Sequence, residues 1–133
     1  MEGSEPADPS EPDARVPSRP SVEAMEAEIC REVLAIHIES YSRAPTKVRA
    51  HIWDDLVFVV LDGLELQPSE EFLVAEGHPE AVTSTRNRFE KAISANFDAV
   101  VERATGRPVV GFTSQQHITE PRFAIFVFRL DSA

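Results

Sequence analysis

The densest run of side chains able to do chemistry is Arg43, Thr46, Lys47, Arg49 and His51. Cations beside a threonine hydroxyl offer the charge-assisted hydrogen bonds that a phosphate or carboxylate takes. Glycines that would let backbone N–H groups wrap a phosphate are missing here, so this is no phosphate-binding Gly-rich loop. Lys47, Arg49 and His51 also alternate at a period of two, which equally describes the solvated side of a β-strand. A second polar segment, Ser114-Gln115-Gln116-His117-Ile118-Thr119-Glu120, separates two apolar runs. In a loop there, His117 can present a donor or an acid–base group to a ligand. Ser114 lies close by, but neither a strained nucleophile turn nor an orienting carboxylate accompanies the pair.

Other chemistries are less well supplied. His37, His51, His78 and His117 lack metal-ligand spacing, and the lone Cys30 forms no internal disulfide and no all-cysteine metal site. Neither a metal nor a cofactor is expected. Cys30 sits in an apolar helical pattern and reads as a small buried hydrophobe. Asp54-Asp55 reads as a turn rather than an acid–base pair, and Trp53 as an anchor for that hairpin or for an interface. Phe123, Phe126 and Phe128 resemble a base-stacking surface, yet Ile125 and Val127 between them favour packing. The chain carries 23 acidic against 13 basic residues, a net charge of -10, which works against nucleic-acid binding.

These groups need a frame, and 133 residues with 42% hydrophobic content suit one domain. Residues 1–20 are rich in Pro, Glu, Asp and Ser, with little to bury, and are expected to be a disordered tail before a domain over 21–133. Ser21 is an N-cap for a helix to about Tyr41, carrying Met25, Ile29, Val33 and Ile36 on an apolar stripe. Strands follow over Lys47–Ile52 and Leu56–Leu61, the second apolar on both faces. Pro68 opens a short helix over Ser69–Glu76, and Pro79 opens one long helix to the Thr105-Gly106 stop. Val109–Phe112 and Phe123–Phe128 complete the set as strands on either side of the polar loop.

This order, helix-strand-strand-helix-helix-strand-strand, predicts an α+β fold: a four-stranded, largely antiparallel sheet in two hairpins with helices packed against it. Helices on one side cannot hide two strands that are apolar on both faces. A homodimer through the second face is therefore expected, against a monomer with helices on both faces. Neither a signal peptide nor a membrane span is seen, so a cytoplasmic location is expected.

From about residue 25 to 130 the chain resembles the MpsC-like domain family, named for a Na+-translocating, membrane-potential-generating system. The stretches that carry the resemblance are Pro45-Thr46-Lys47-Val48-Arg49-Ala50-His51, Asp54-Asp55-Leu56-Val57, Arg86 with Phe89, Thr105-Gly106-Arg107-Pro108-Val109-Val110, and Ser114-Gln115-Gln116-His117. The chain departs from the family pattern at Ser42 and Ala44, where glycines are usual, and at Gln115-Gln116, where Asp-Asn is usual. The resemblance implies an accessory role near membrane ion or inorganic-carbon transport. It also makes Arg107 a candidate contact beside Arg43, Thr46, Lys47, Arg49 and His117. The expected function is a non-enzymatic, dimeric binding or accessory protein whose cations meet a membrane-system protein partner or a small anionic ligand. The alternative is a small enzyme, or a small-anion-binding protein, that uses His117.

Overall fold

A computed structural model describes residues 20–132; of the tail expected over residues 1–20, all but Pro20 lies outside the described residues. Helix α1 spans Val22–Tyr41, and the Ser21 side chain accepts the Ala24 N–H at 3.0 Å as its cap. It ends at Ser42, whose φ of 59° turns the chain out of the helix. Strands β1 (Lys47–Trp53) and β2 (Leu56–Asp62) form a hairpin around Asp54, also at positive φ. Helices α2 (Pro68–Ala75), α3 (Pro79–Ala92) and α4 (Ser94–Thr105) lead to β3 (Val109–His117) and β4 (Phe123–Leu130).

The strands form one antiparallel sheet in the order β1-β2-β4-β3, so each hairpin contributes one central strand and one edge. Alternation along the strands sorts residues into two layers. Val57, Val59 and Leu61 of β2 and Ala124, Phe126, Phe128 and Leu130 of β4 are buried, and with Ile29, Val33, Phe97, Val100 and Val101 they make the core. Phe97 meets Phe126 edge-on at 4.9 Å and stacks on Phe112 at 5.7 Å, which fastens α4 to the sheet. The opposite residues of β2 and β4, namely Leu56, Phe58, Val60, Phe123, Ile125 and Val127, are only partly buried.

Two expectations need correction. The long helix from Pro79 breaks at Ile93 (φ −105°, ψ 20°) into α3 and α4. Phe89, Ile93 and Phe97 are spaced as one helical stripe, but α3 buries Val82, Arg86 and Glu90 and leaves Phe89 39% exposed. The break lets α3 present a polar face inward while α4 presents Phe97, Val100, Val101 and Ala104. Second, β3 continues through Ser114, Gln115 and Gln116 to His117, so this segment is strand and not loop. Its pairing with all of Phe123–Leu130 outweighs its polar composition.

Candidate functional site

Three of the expected contact residues, Lys47, Arg49 and His117, lie with the partly buried apolar residues on the face of the sheet that no described helix covers. Cross-strand register sets them in rows: Lys47, Asp62, Phe123 and His117; Arg49, Val60, Ile125 and Gln115; His51, Phe58, Val127 and Thr113; Trp53, Leu56, Arg129 and Gly111. The centre is apolar, one rim carries Lys47, Arg49 and His51, and the other carries hydroxyl, amide and imidazole groups. Two ion pairs tie down charge on or beside this face, Arg49 Nε to Asp62 Oδ2 at 3.0 Å and Arg129 Nε to Asp55 Oδ2 at 3.1 Å. Trp53 is 68% exposed.

His117 donates from Nδ1 to the Pro121 carbonyl at 2.7 Å and stacks on Phe123 with ring centroids 5.1 Å apart. Because a carbonyl can only accept, Nδ1 carries a proton and Nε2 is the ring nitrogen left for a ligand. Lys47 and His117 share a row but stand on opposite edge strands, about 14 Å apart at normal strand spacing. Thr46 is pinned beside Lys47, its N–H reaching the Asp62 carbonyl at 2.8 Å. Gly63 permits this approach: its φ is 63°, and a Cβ there would collide with the Thr46 side chain. Arg43 is half-buried just before this stretch. Arg107 lies at the other end of the sheet, donating to the Asp54 carbonyl at 3.0 Å and the Asp131 carbonyl at 2.9 Å. Lys47, Arg49 and His117 thus share one surface, and Arg107 serves a separate corner. Thr46 and Lys47 also line a groove of about 430 Å³ between α1 and β1, with Cys30, Arg31, Leu34 and Val48.

Beneath the covered face lies a buried ionic cluster. Arg86, 1% exposed, grips Glu70 with two bonds of 2.8 Å, and its guanidinium lies 3.9 Å from the centre of the Tyr41 ring. Tyr41 donates to Glu90 Oε2 at 3.0 Å, and Gln116 Nε2 donates to Glu90 Oε1 at 2.7 Å. Ser114 also hydrogen-bonds this carboxyl. Burial pushes Glu90 up to about 7, against the pull of Ser114, Tyr41 and Arg86. Burial and the nearby Arg86 charge push His37 down to about 4, against the attraction of Glu70. Burial also works to raise the Glu70 carboxyl, but the Arg86 and Gln67 bonds override it and hold Glu70 below its usual range. Tyr41 is raised, first by burial and then by Glu90. Glu90 is therefore a group that exchanges a proton near neutrality within the joint of α1, α3 and β3.

Sequence reasoning missed Tyr41, Glu70, Arg86, Glu90 and Gln116 as a unit. Two signals pointed to them. Val82, Arg86 and Glu90 recur every four residues on α3, and Phe112, Ser114 and Gln116 alternate on β3. Residues from the stretches that carry the resemblance converge on two places: Arg86, Ser114 and Gln116 on the ionic cluster, and Asp54 and Arg107 on the corner they share.

Among the described residues, no group of three or more His, Cys, Asp or Glu side chains is arranged to hold a metal ion, and no helix is long and apolar enough to cross a membrane. No curated protein and no solved structure matches the chain. Residues 21–132 match the family model described as Na+-translocating membrane potential-generating system (MpsC), and the chain belongs to that family.

Proposed function

We propose that this domain is a non-enzymatic accessory module of a membrane-potential-generating system, and that it works as a homodimer joined through the open face of its sheet. The observation that carries this reading is the set Leu56, Phe58, Val60, Phe123, Ile125 and Val127, an apolar layer that no helix among the described residues covers. A sheet of four strands of 7, 7, 9 and 8 residues offers about 500 Å² in projection. Side-chain relief and the two rims bring this toward the ~800 Å² per partner of a stable interface. Charge favours a two-fold axis parallel to the strands. Such an axis lays the cationic β1 rim over the partner's neutral β3 rim and sets the exposed Trp53 indole over the gap at Gly111.

Light scattering of the full chain is the test. Phe58→Glu or Val127→Glu is expected to halve the mass while leaving the circular dichroism spectrum of the fold. A wild-type chain that stays monomeric at high concentration refutes the dimer. The α1–β1 groove supports a second reading, a site for a small amphipathic anion between Arg31 and Lys47 above Leu34 and Val48. Titration with decanoate, with and without Arg31→Glu, tests it: equal binding, or none, removes that reading.

A further inference from the structure

The two edges of the sheet are treated unequally. At the β1 edge, α1 supplies partners: Glu26 Oε2 accepts the Ile52 N–H at 2.9 Å, and the Cys30 thiol reaches the Val48 carbonyl at 3.5 Å. Lys47, Arg49 and His51 add the charge by which natural edges resist pairing. The β3 edge has none of this between Val110 and His117. The segment contains no proline, lysine, arginine or carboxylate, and among the described residues its outward backbone groups have no partner beyond β4. A long neutral strand with a free edge is a template for another strand.

Beside that edge, between α3 and β3, a cavity of about 220 Å³ is lined by Asn87, Lys91, Phe112, Thr113 and Ser114. The Asn87 Oδ1 atom is buried and has no hydrogen-bond partner among the described residues. Lys91 makes no ion pair among them, although the chain is acidic overall. Arg88 precedes Lys91 by one turn on the same side of α3, adding a second positive charge. With the Asn87 amide turned to offer its N–H groups, that amide and the Lys91 ammonium around a side-chain-sized hollow suit a carboxylate.

We propose that the β3 edge and this cavity form a docking site for an extended segment of a partner protein, which adds a fifth strand to the sheet and places an acidic side chain against Lys91 and Asn87. Backbone pairing along β3 supplies affinity, and the cavity selects the residue that faces α3. The site goes beyond the proposed dimer and does not depend on it, because its hydrogen-bonding groups point along the plane of the sheet and not out of its face.

The test uses the full chain and the capped hexapeptide Thr-Val-Glu-Val-Thr-Val, followed by backbone amide NMR. Peptide is expected to shift β3 amides and slow their exchange with solvent. Replacing Glu by Gln in the peptide, or Lys91→Glu in the protein, is expected to weaken binding about fivefold, the effect of one partly exposed ion pair. Arg103→Glu on α4, exposed and remote from β3, is expected to change nothing. Shifts confined to the open face, no shifts at all, or binding indifferent to both charge changes would overturn the proposal. So would β3 amides already protected in the free protein with a mass that rises in step, since a second copy would then occupy the edge.

Discussion

Replacing Glu90 by Gln should change how stability depends on pH while leaving the fold intact. The Glu90 carboxyl is raised from 4.5 to about 7 in the folded protein. Between those values the folded state keeps a proton that the unfolded chain has released. Its stabilising contribution is thus complete below about 4.5 and is lost as pH rises through 7. The loss amounts to at most about 3 kcal/mol by pH 8. His37 works the other way: lowered from 6.5 to about 4, it costs stability as pH falls through that window. In the natural chain the two slopes oppose each other between pH 4.5 and 6.5. Glu90→Gln removes one of them, and Gln116 can accommodate the new amide by turning its unpartnered Oε1 toward it. Urea unfolding followed by far-ultraviolet circular dichroism at pH 5 and pH 8 measures the effect. The variant should gain on the natural chain by up to about 3 kcal/mol across that range. Parallel profiles for the two proteins would refute the reasoning, because they would mean that Glu90 ionises as freely when folded as when unfolded.

Two further outcomes follow from the same packing. Arg86→Met leaves the Glu70 carboxylate without its bidentate partner inside the α2–α3 joint and should destabilise by about 3 kcal/mol or more, read as a fall in the urea midpoint. Gly63→Ala forces a Cβ into Thr46 at a positive φ and should destabilise by about 2 kcal/mol, visible as a lower melting temperature.

Much of the frame was legible because it obeyed periodicity. The α1 stripe at Ile29 and Val33, the Ser21 cap and the doubly apolar β2 and β4 all follow from the pattern of apolar residues. The ionic cluster was hidden by the same rule. Charge alone gives no sign that Arg86 and Glu90 are buried, yet each supplies the partner that makes burying the other groups tolerable. Phe89, although apolar, flanks Tyr41 at 5.9 Å while remaining exposed. Likewise Ser114 and Gln116 suggested a loop, although an apolar β4 eight residues long required an equally long neighbour. Of the candidate contacts, Lys47, Arg49 and His117 could be assigned to one face by alternation. The isolation of Arg107 depended on the hairpin corner that tertiary structure supplies.

The strand order also bears on how the chain reaches its fold. Each hairpin closes over a short turn, but β2 and β4 are joined at the sheet's midline only after about 60 residues of intervening chain have been brought back. Closing that loop costs about 3 kcal/mol more in chain entropy than closing the two-residue turn at Asp54-Asp55. The folding barrier is therefore expected at the midline, where Val59 meets Phe126 and Val60 meets Ile125. The residues that finish the hydrophobic core are also the ones that set the speed of folding. Until they pair, both apolar central strands have a free edge, so the interval before midline closure is when this chain is most open to association with other unfolded chains.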